Sequence, residues 1–154
     1  MIKKPEPLLT GGCQCGAVRY AIYEPVYNPH ICHCRMCQKA FGAFFAPLVN
    51  IKNEGFAWTR GEPGIFKSSE AVERRFCRDC GTPLSFSYAG SDHISVSVGS
   101  LDEPAKVKPA NQYGIESRLP YFAELHVLPG SRTEDDIPPE ALARLKSRQH
   151  PDRD

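Results

Sequence analysis

The segment Cys77-Arg78-Asp79-Cys80-Gly81 contains two cysteines separated by two residues and followed by glycine. This is the spacing of a zinc-binding turn, because both sulfurs can face one point while the glycine reverses the chain at positive φ. Cys13-Gln14-Cys15-Gly16 has a similar form, with one residue between the sulfurs. Two such pairs could hold one ion and clamp strands that are distant in sequence. The alternative for either pair alone is a buried or unused thiol.

Between these pairs lies a compact cluster, Cys32-His33-Cys34-Arg35-Met36-Cys37. Its three cysteines can surround one metal ion, and no fourth local cysteine closes a tetrahedron, so one position stays open for water or substrate. Three thiolates also make a Zn²⁺ site negative, so the ion polarises water weakly and suits a thiol or thiolate substrate. We therefore predict chemistry on sulfur at this cluster.

Other uses of the same cluster are open at this point. His33 is a candidate fourth ligand, although its place between two cysteines hinders simultaneous coordination, and His30 is a candidate neighbour that tunes the thiolates. Cys34 and Cys37 form a CxxC pair that could act as a redox switch, which leaves Cys32 without a role. An iron–sulfur cluster, which usually requires a fourth ligand, is a further alternative.

The composition favours metal chemistry over a disulfide framework. Met1–Thr10 lacks the apolar core of a signal peptide, and no run approaches the roughly 18 apolar residues of a membrane span, so we expect a cytoplasmic protein with reduced thiols. The seven cysteines cannot all pair within one chain. A net charge of +1, from 19 basic and 18 acidic residues, argues against nucleic-acid and membrane partners. From its 154 residues we expect one domain spanning residues 1–154.

Frequent glycine and proline, 12 and 14 residues, separate short segments and predict a mostly β domain. The clearest strand is His93–Val98, where Ile94, Val96 and Val98 alternate with serines and so face inward. The other predicted strands are Ala17–Ile22, Phe44–Val49, Phe56–Arg60, Glu73–Phe76 and Leu84–Tyr88, with weaker candidates at Gly64–Lys67, Tyr113–Ile115 and Glu124–Val127. Helix is predicted only for Cys34–Phe41 and within the tail at Pro138–Ser147, and Gln149–Asp154 is expected to fray.

Three segments in this order resemble the glutathione-dependent formaldehyde-activating family, which includes the centromere protein V type: GGCQCGAVRY from Gly11, CHCRMCQKAFGAFF from Cys32 and FCRDCGTPLSF from Phe76. The resemblance extends from about Gly11 to Phe122. It implies an Mss4-like fold of twisted antiparallel sheets organised around zinc, with little helix. It also implies two zinc ions per chain, a structural ion held by Cys13, Cys15, Cys77 and Cys80 and a catalytic ion held by Cys32, Cys34 and Cys37.

The resemblance further implies carbon–sulfur bond chemistry, namely the condensation of formaldehyde with glutathione to S-hydroxymethylglutathione, or the reverse. A zinc ion at the three-cysteine cluster would hold the small thiol as its thiolate beside the aldehyde. His30, His33 and Arg35 are the candidates for proton transfer, and Arg35 is also a candidate contact for a glutathione carboxylate. An aromatic set that could wall the site, or belong to the core, comprises Phe41, Phe44, Phe45, Trp58, Tyr121 and Phe122.

The chain departs from the family pattern near its carboxyl-terminal part. Gln112 stands where the family often carries histidine, and Tyr121 stands where it often carries tryptophan. If these positions shape the pocket, the substrate is a thiol adduct other than that of glutathione. The alternatives to a lyase are a zinc-scaffolded binding module without catalysis, a zinc hydrolase and a thiol-redox protein.

Overall fold

The computed structural model describes residues 5–153. Met1–Lys4, part of the segment considered for a signal peptide, and Asp154, the end of the tail, lie outside these described residues. The strands are β1 Leu9–Gly12, β2 Arg19–Ile22, β3 Tyr27–Cys32, β4 Ala46–Lys52, β5 Phe56–Arg60, β6 Gly64–Ser69, β7 Val72–Phe76, β8 Pro83–Tyr88, β9 His93–Ser97 and β10 Asn111–Tyr113. The α-helices are α1 Arg35–Phe41, α2 Thr133–Asp136 and α3 Pro139–Leu142.

The strands form two sheets, in agreement with the predicted mostly β fold. The small sheet has the order β1-β2-β5, and the large sheet has the order β10-β3-β4-β9-β8-β7-β6. All pairings are antiparallel except that of β10 with β3. In that parallel pair Tyr113 lies opposite Cys32. The pairing therefore brings the segment after residue 110 beside the three-cysteine cluster.

The main core contains side chains from both sheets. Tyr20 and Ile22 of β2 and Val49, Ile51 and Val96 of the large sheet are fully buried there. Because side chains alternate along a strand, the residues between them face the other side of the large sheet. That side carries a second, smaller apolar cluster under α1, which includes the cysteines of the central segment.

The polar positions of β4 and β9 are buried as well. Ser95 Oγ donates to Asn50 Oδ1 at 2.7 Å, and Ser97 Oγ donates to the Pro83 carbonyl at 2.6 Å. The alternating pattern of His93–Val98 thus predicted the inward apolar face correctly. Its serines form a hydrogen-bonded polar surface on the opposite face, where solvent exposure would be the usual expectation.

Most strand predictions are confirmed with ends shifted by one to three residues, and Phe56–Arg60 has the predicted bounds. The prediction missed β1, which contains two glycines, and β3, where Pro29 and the left-handed Asn28 (φ 48°) mask the strand pattern. Tyr113–Ile115 is wrong in its extent, because Gly114 has a φ of 64° and ends β10. Glu124–Val127 is wrong in type, since it lies within a 3-10 helix at Phe122–Val127.

The carboxyl-terminal tail differs from its prediction. Helix is limited to the short α2 and α3, so only part of Pro138–Ser147 is helical. The fraying expected for Gln149–Asp154 stays a prediction, although the His150 backbone N–H donates to the Gln14 carbonyl at 2.7 Å and Arg60 Nη1 lies 3.2 Å from His150 Nε2. No helix within residues 5–153 is long and apolar enough to cross a membrane.

Candidate metal centre

The four outer cysteines, Cys13, Cys15, Cys77 and Cys80, come together in space. Their sulfur atoms lie within 4.8 Å of one another. The Sγ–Sγ distance is 3.5 Å between Cys13 and Cys15 and 3.7 Å between Cys15 and Cys77. A Zn–S bond of about 2.3 Å places the sulfurs of a tetrahedron about 3.8 Å apart. The cluster therefore has the dimensions of a four-thiolate site.

Both cysteine pairs lie on turns of the same form. Gly16 and Gly81 have φ angles of 78° and 79°. In each turn the glycine N–H donates to the carbonyl of the first cysteine of its pair, Cys13 or Cys77, at 3.0 Å. One turn joins β1 to β2 and the other joins β7 to β8, so the four-cysteine cluster links the small sheet to the large one.

The thiols of this cluster differ in acidity. Burial alone would raise the pKa of Cys80, but hydrogen bonds with Thr82 and Cys15 outweigh it and lower that pKa to about 6. For Cys15, a hydrogen bond with the Ala17 backbone favours the thiolate, yet burial and the neighbouring sulfurs together raise its pKa to about 12. Four sulfurs at these distances oppose one another's ionisation, and a bound cation removes that opposition.

The three central cysteines form a separate group whose sulfurs also lie within 4.8 Å of one another. Cys32 ends β3, Cys34 is the N-cap of α1, and Cys37 lies in the first turn of that helix. The Cys34 sulfur accepts a hydrogen bond from the Cys37 backbone N–H at 3.3 Å, in the manner of a capping oxygen. The strand end and the helix start thus fix the three sulfurs on one short segment.

The charges in this group are also coupled. Contact with Cys37 lowers the pKa of Cys32, whereas the same contact and burial raise the pKa of Cys37 above its ordinary value. Arg74 acts in the opposite direction on Cys37, because its Nη2 donates to Cys37 Sγ at 3.5 Å. Soft sulfur donors in groups of four and three are compatible with zinc, and the described residues thus contain two cysteine clusters that could hold metal ions.

A cavity of about 260 Å³ opens beside the three-cysteine cluster, and we call it the cleft. Its lining includes Cys32, Cys37, His30, Asn50, Ser95 and Tyr113. No carboxylate, lysine or arginine among residues 5–153 lines it. The cleft therefore offers sulfur, imidazole, amide and hydroxyl groups without a formal charge of their own, apart from the thiolates.

His30 is fixed in orientation at the edge of this cleft. Its Nδ1 lies 2.7 Å from the Asn28 carbonyl oxygen, which can only accept, so Nδ1 carries the hydrogen and Nε2 is the remaining ring nitrogen. Asn28 Oδ1 in turn accepts from the Tyr113 hydroxyl at 3.0 Å. The imidazole is 8% exposed and packs edge-on against Tyr113, with 4.9 Å between ring centroids.

His33 lies in a different environment from His30. Its ring is fully buried and packs edge-on against Phe45 and Phe122. Nε2 donates to Gln112 Oε1 at 2.9 Å, and Nδ1 has no hydrogen-bond partner in the described part of the chain. Gln112, the residue that replaces the expected histidine, thus holds His33, which neither belongs to the sulfur group nor lines the cleft.

Gln38 positions the loop of the three-cysteine cluster, a role that the sequence analysis missed. Its Nε2 donates to the carbonyls of His33 at 2.7 Å and Ser117 at 2.9 Å, and its side chain is buried. Arg35, a candidate for proton transfer or carboxylate binding, donates from Nη1 to Gln38 Oε1 at 2.8 Å and does not line the cleft. The sequence around Gln38 contains no signal of this role, because a glutamine on a short helix is usually exposed and the burial of Gln38 is seen only in the folded chain.

The six aromatic residues considered as walls of the site do not line the cleft. Trp58 packs in the main core, with ring centroids 5.9 Å from Tyr20 and 4.9 Å from Phe56. Tyr121 packs against Phe44 at 5.7 Å, on the side of α1 that faces the carboxyl-terminal segment. The aromatic rings that do line the cleft belong to Phe86, Tyr88 and Tyr113.

Comparison with protein families gives one match that contains both cysteine clusters. Residues 8–116 match the model described as glutathione-dependent formaldehyde-activating enzyme. The matched segment is more than two thirds of the chain and includes all seven cysteines.

Three relatives among curated proteins illustrate the similarity. A Schizosaccharomyces pombe protein named as an uncharacterized lyase is 34% identical over 91 residues, which cover 53% of this chain and 59% of that protein. A Phaeosphaeria nodorum protein named "Putative glutathione-dependent formaldehyde-activating enzyme" is 29% identical over 83 residues, covering 53% of this chain and 43% of its own length. A Halomonas elongata protein of the same name is 24% identical over 152 residues, which cover 92% of this chain and 96% of that protein. The chain thus spans only about half the length of the first two relatives.

Among solved structures, a crystal structure of a Rhodobacter sphaeroides protein is similar to this chain. The TM-score is 0.56 at 20% sequence identity, and the match covers 67% of this chain and 98% of that one. This likeness shows a shared fold.

Proposed function

Because this chain belongs to the glutathione-dependent formaldehyde-activating family, we propose that it is a zinc-dependent carbon–sulfur lyase or synthase acting on a small thiol adduct. In the forming direction the thiol sulfur bonds to the carbon of formaldehyde, and the thiol proton ends on the former carbonyl oxygen. The reverse reaction releases thiol and aldehyde. Neither direction needs an oxidant or a reductant.

The observation that carries this proposal is the open three-cysteine cluster at the edge of the cleft. A four-thiolate site has no free position, whereas Cys32, Cys34 and Cys37 leave one. We assign the catalytic zinc to these three residues. The structural zinc is assigned to Cys13, Cys15, Cys77 and Cys80, so that the chain carries two ions. When bound at the three-cysteine cluster, zinc supplies a soft position that holds a thiol as its thiolate at neutral pH.

Two residues of the cleft are assigned the proton transfer and the orientation of the aldehyde. His30 presents Nε2, because the Asn28 carbonyl holds Nδ1 protonated. In the forming direction Nε2 takes the thiol proton and passes it to the former carbonyl oxygen, and in the reverse direction it takes the hydroxyl proton and returns it to the sulfur. Asn50 orients the aldehyde oxygen. Since its Oδ1 accepts from Ser95, the amide nitrogen is left to donate to that oxygen. The uncharged walls suit a neutral one-carbon aldehyde.

Exchange spectroscopy with ¹³C-formaldehyde and glutathione tests the proposed reaction. The zinc-loaded protein is expected to accelerate the exchange between free aldehyde and S-hydroxymethylglutathione by at least about tenfold over the uncatalysed rate. The Cys34→Ala variant at the same concentration serves as the control and should give the uncatalysed rate. If the zinc-loaded wild-type protein also gives the uncatalysed rate, with glutathione and with simpler thiols, the proposed function is wrong.

A further inference from the structure

A second and larger cavity lies against α1 and strands β6, β7 and β8. Its volume is about 450 Å³, which lies within the range of about 300–1,000 Å³ of small-molecule sites. It shares no lining residue with the cleft. We call it the side cavity, and neither of the metal clusters nor the proposed reaction uses it.

The walls of the side cavity are largely apolar. Phe41 of α1, Phe76 of β7 and Pro83 of β8 line it, together with Met36 and Phe66. Met36 is 45% exposed and Phe66 is 61% exposed, although both are large apolar side chains. A ligand with an apolar body would cover these two side chains and remove their surface from water.

The same cavity is positively charged. Lys39, Arg74 and Arg75 line it, and no acidic residue of the described chain does. Arg75 is paired with Glu73, at 3.0 Å between Nη2 and Oε2. Lys39 is exposed on α1 and has no carboxylate within ion-pair distance among residues 5–153. The positive charges in the cavity that no carboxylate pairs with therefore belong to Lys39 and Arg74.

Arg74 is the buried cation of the side cavity, since only 7% of its surface is exposed. Its Nε donates to Ser68 Oγ at 3.1 Å, its Nη2 donates to Cys37 Sγ at 3.5 Å, and its guanidinium lies 5.0 Å from the Phe86 ring centroid. None of these partners is a carboxylate. The Cys37 sulfur balances this charge in part when it is a thiolate, but Arg74 Nη1 has no hydrogen-bond partner among residues 5–153 and can donate to an anion in the side cavity.

From these observations we propose that the side cavity binds a small carboxylic acid with an apolar body. The carboxylate lies near Arg74 and Lys39, and the apolar part lies between Phe66 and Met36. Since Arg74 also contacts Cys37, the acid is bound next to the three-cysteine cluster. The inference goes beyond the proposed function and holds whether or not the protein acts on a thiol adduct.

Calorimetric titration of the zinc-loaded 154-residue chain with three probes tests the ligand class. The probe 3-phenylpropionate has both an apolar ring and a carboxylate, 3-phenylpropanamide has the ring without the charge, and acetate has the charge without the ring. We expect 3-phenylpropionate to bind at least about tenfold more tightly than either of the others, which corresponds to about 1.4 kcal/mol. Equal binding of acid and amide, or no binding of the acid at millimolar concentration, overturns the proposal.

Two exposed residues locate the bound acid without disturbing the cysteines. Lys39→Gln and Phe66→Ser are each expected to weaken 3-phenylpropionate binding at least about fivefold. The controls Lys67→Gln and Ile65→Ser make the same kinds of change at exposed residues next to Phe66 on β6. Neither residue lines the cavity, so both variants should leave the affinity unchanged. If all four variants bind the acid as tightly as the wild-type protein, it binds elsewhere and the assignment to the side cavity is wrong.

Discussion

Cys80→Ala is expected to abolish the folded state, whereas Cys34→Ala should give a folded protein that contains about one equivalent less zinc. The two substitutions are chemically identical, so the difference arises from where each cluster lies in the fold. The four-cysteine cluster joins the β1–β2 turn to the β7–β8 turn and thereby links the two sheets through residues as far apart as Cys15 and Cys77, which are separated by 62 positions. The three-cysteine cluster lies within one short segment at the start of α1.

The free energies involved explain why Cys80→Ala should destabilise the fold more than Cys34→Ala does. A structural zinc contributes about 10–16 kcal/mol of apparent binding free energy, which is as large as the roughly 5–15 kcal/mol of net stability of a typical domain. Cross-linking segments that are distant in sequence also constrains the unfolded chain more than closing a short loop does. Cys34→Ala removes the sulfur that caps α1, a loss of about 1 kcal/mol.

Circular dichroism with urea titration, combined with metal analysis, measures both outcomes. The folded Cys34→Ala protein should show a cooperative transition and about one zinc per chain. Equal unfolding of both variants would contradict the separate roles of the two clusters. A folded Cys80→Ala protein with unchanged stability would contradict the structural role of the four-cysteine cluster.

The substitution His30→Gln is expected to lower the rate of thiol–aldehyde exchange by about 10²-fold, the usual contribution of a positioned proton-transfer group. Glutamine can still hydrogen-bond to the Asn28 carbonyl but cannot take a proton at the position of Nε2. The effect should fall on kcat more than on KM, since the thiol sulfur is held elsewhere.

His126→Gln is the matched control, because His126 is exposed on the 3-10 helix at Phe122–Val127 and lies away from the cleft. It should leave the rate unchanged. Full activity in His30→Gln would remove His30 from the mechanism. A loss of zinc together with the loss of activity would mean that His30 supports the cluster and does not transfer a proton.

Local spacing explains what could be predicted from the sequence. The clusters Cys13/Cys15, Cys32/Cys34/Cys37 and Cys77/Cys80 follow from residues one or two positions apart, whereas the assignment of the two outer pairs to one ion was implied by the family resemblance. The fold places the four outer sulfurs together and the three central ones together. The alternation of Ile94, Ser95 and Val96 likewise fixed which face of β9 enters the main core. Such patterns are set within a few residues and do not depend on the order of strands in a sheet.

The parts that could not be predicted depend on strand order. Asn50 and Ser95 become walls of the cleft because β4 pairs with β9, and both residues have the pattern of a solvent-facing position. The contact of Arg74 with Cys37 joins residues that are 37 positions apart. His30 and His33 could not be distinguished either, because the irregular β3 and its parallel partner β10 decide which imidazole reaches the cleft.

The occupancy of the three-cysteine cluster by a substrate thiol is the central claim, and cobalt substitution tests it most directly. In the Co²⁺-loaded protein, the sulfur-to-cobalt absorption of the site should increase and shift when glutathione is added, because a fourth sulfur joins the three cysteines. S-methylglutathione, which lacks the thiol, should cause no such change, and Cys34→Ala should not respond to either compound. An absorption spectrum that is the same with and without millimolar thiol, for glutathione and for smaller thiols alike, would contradict the claim.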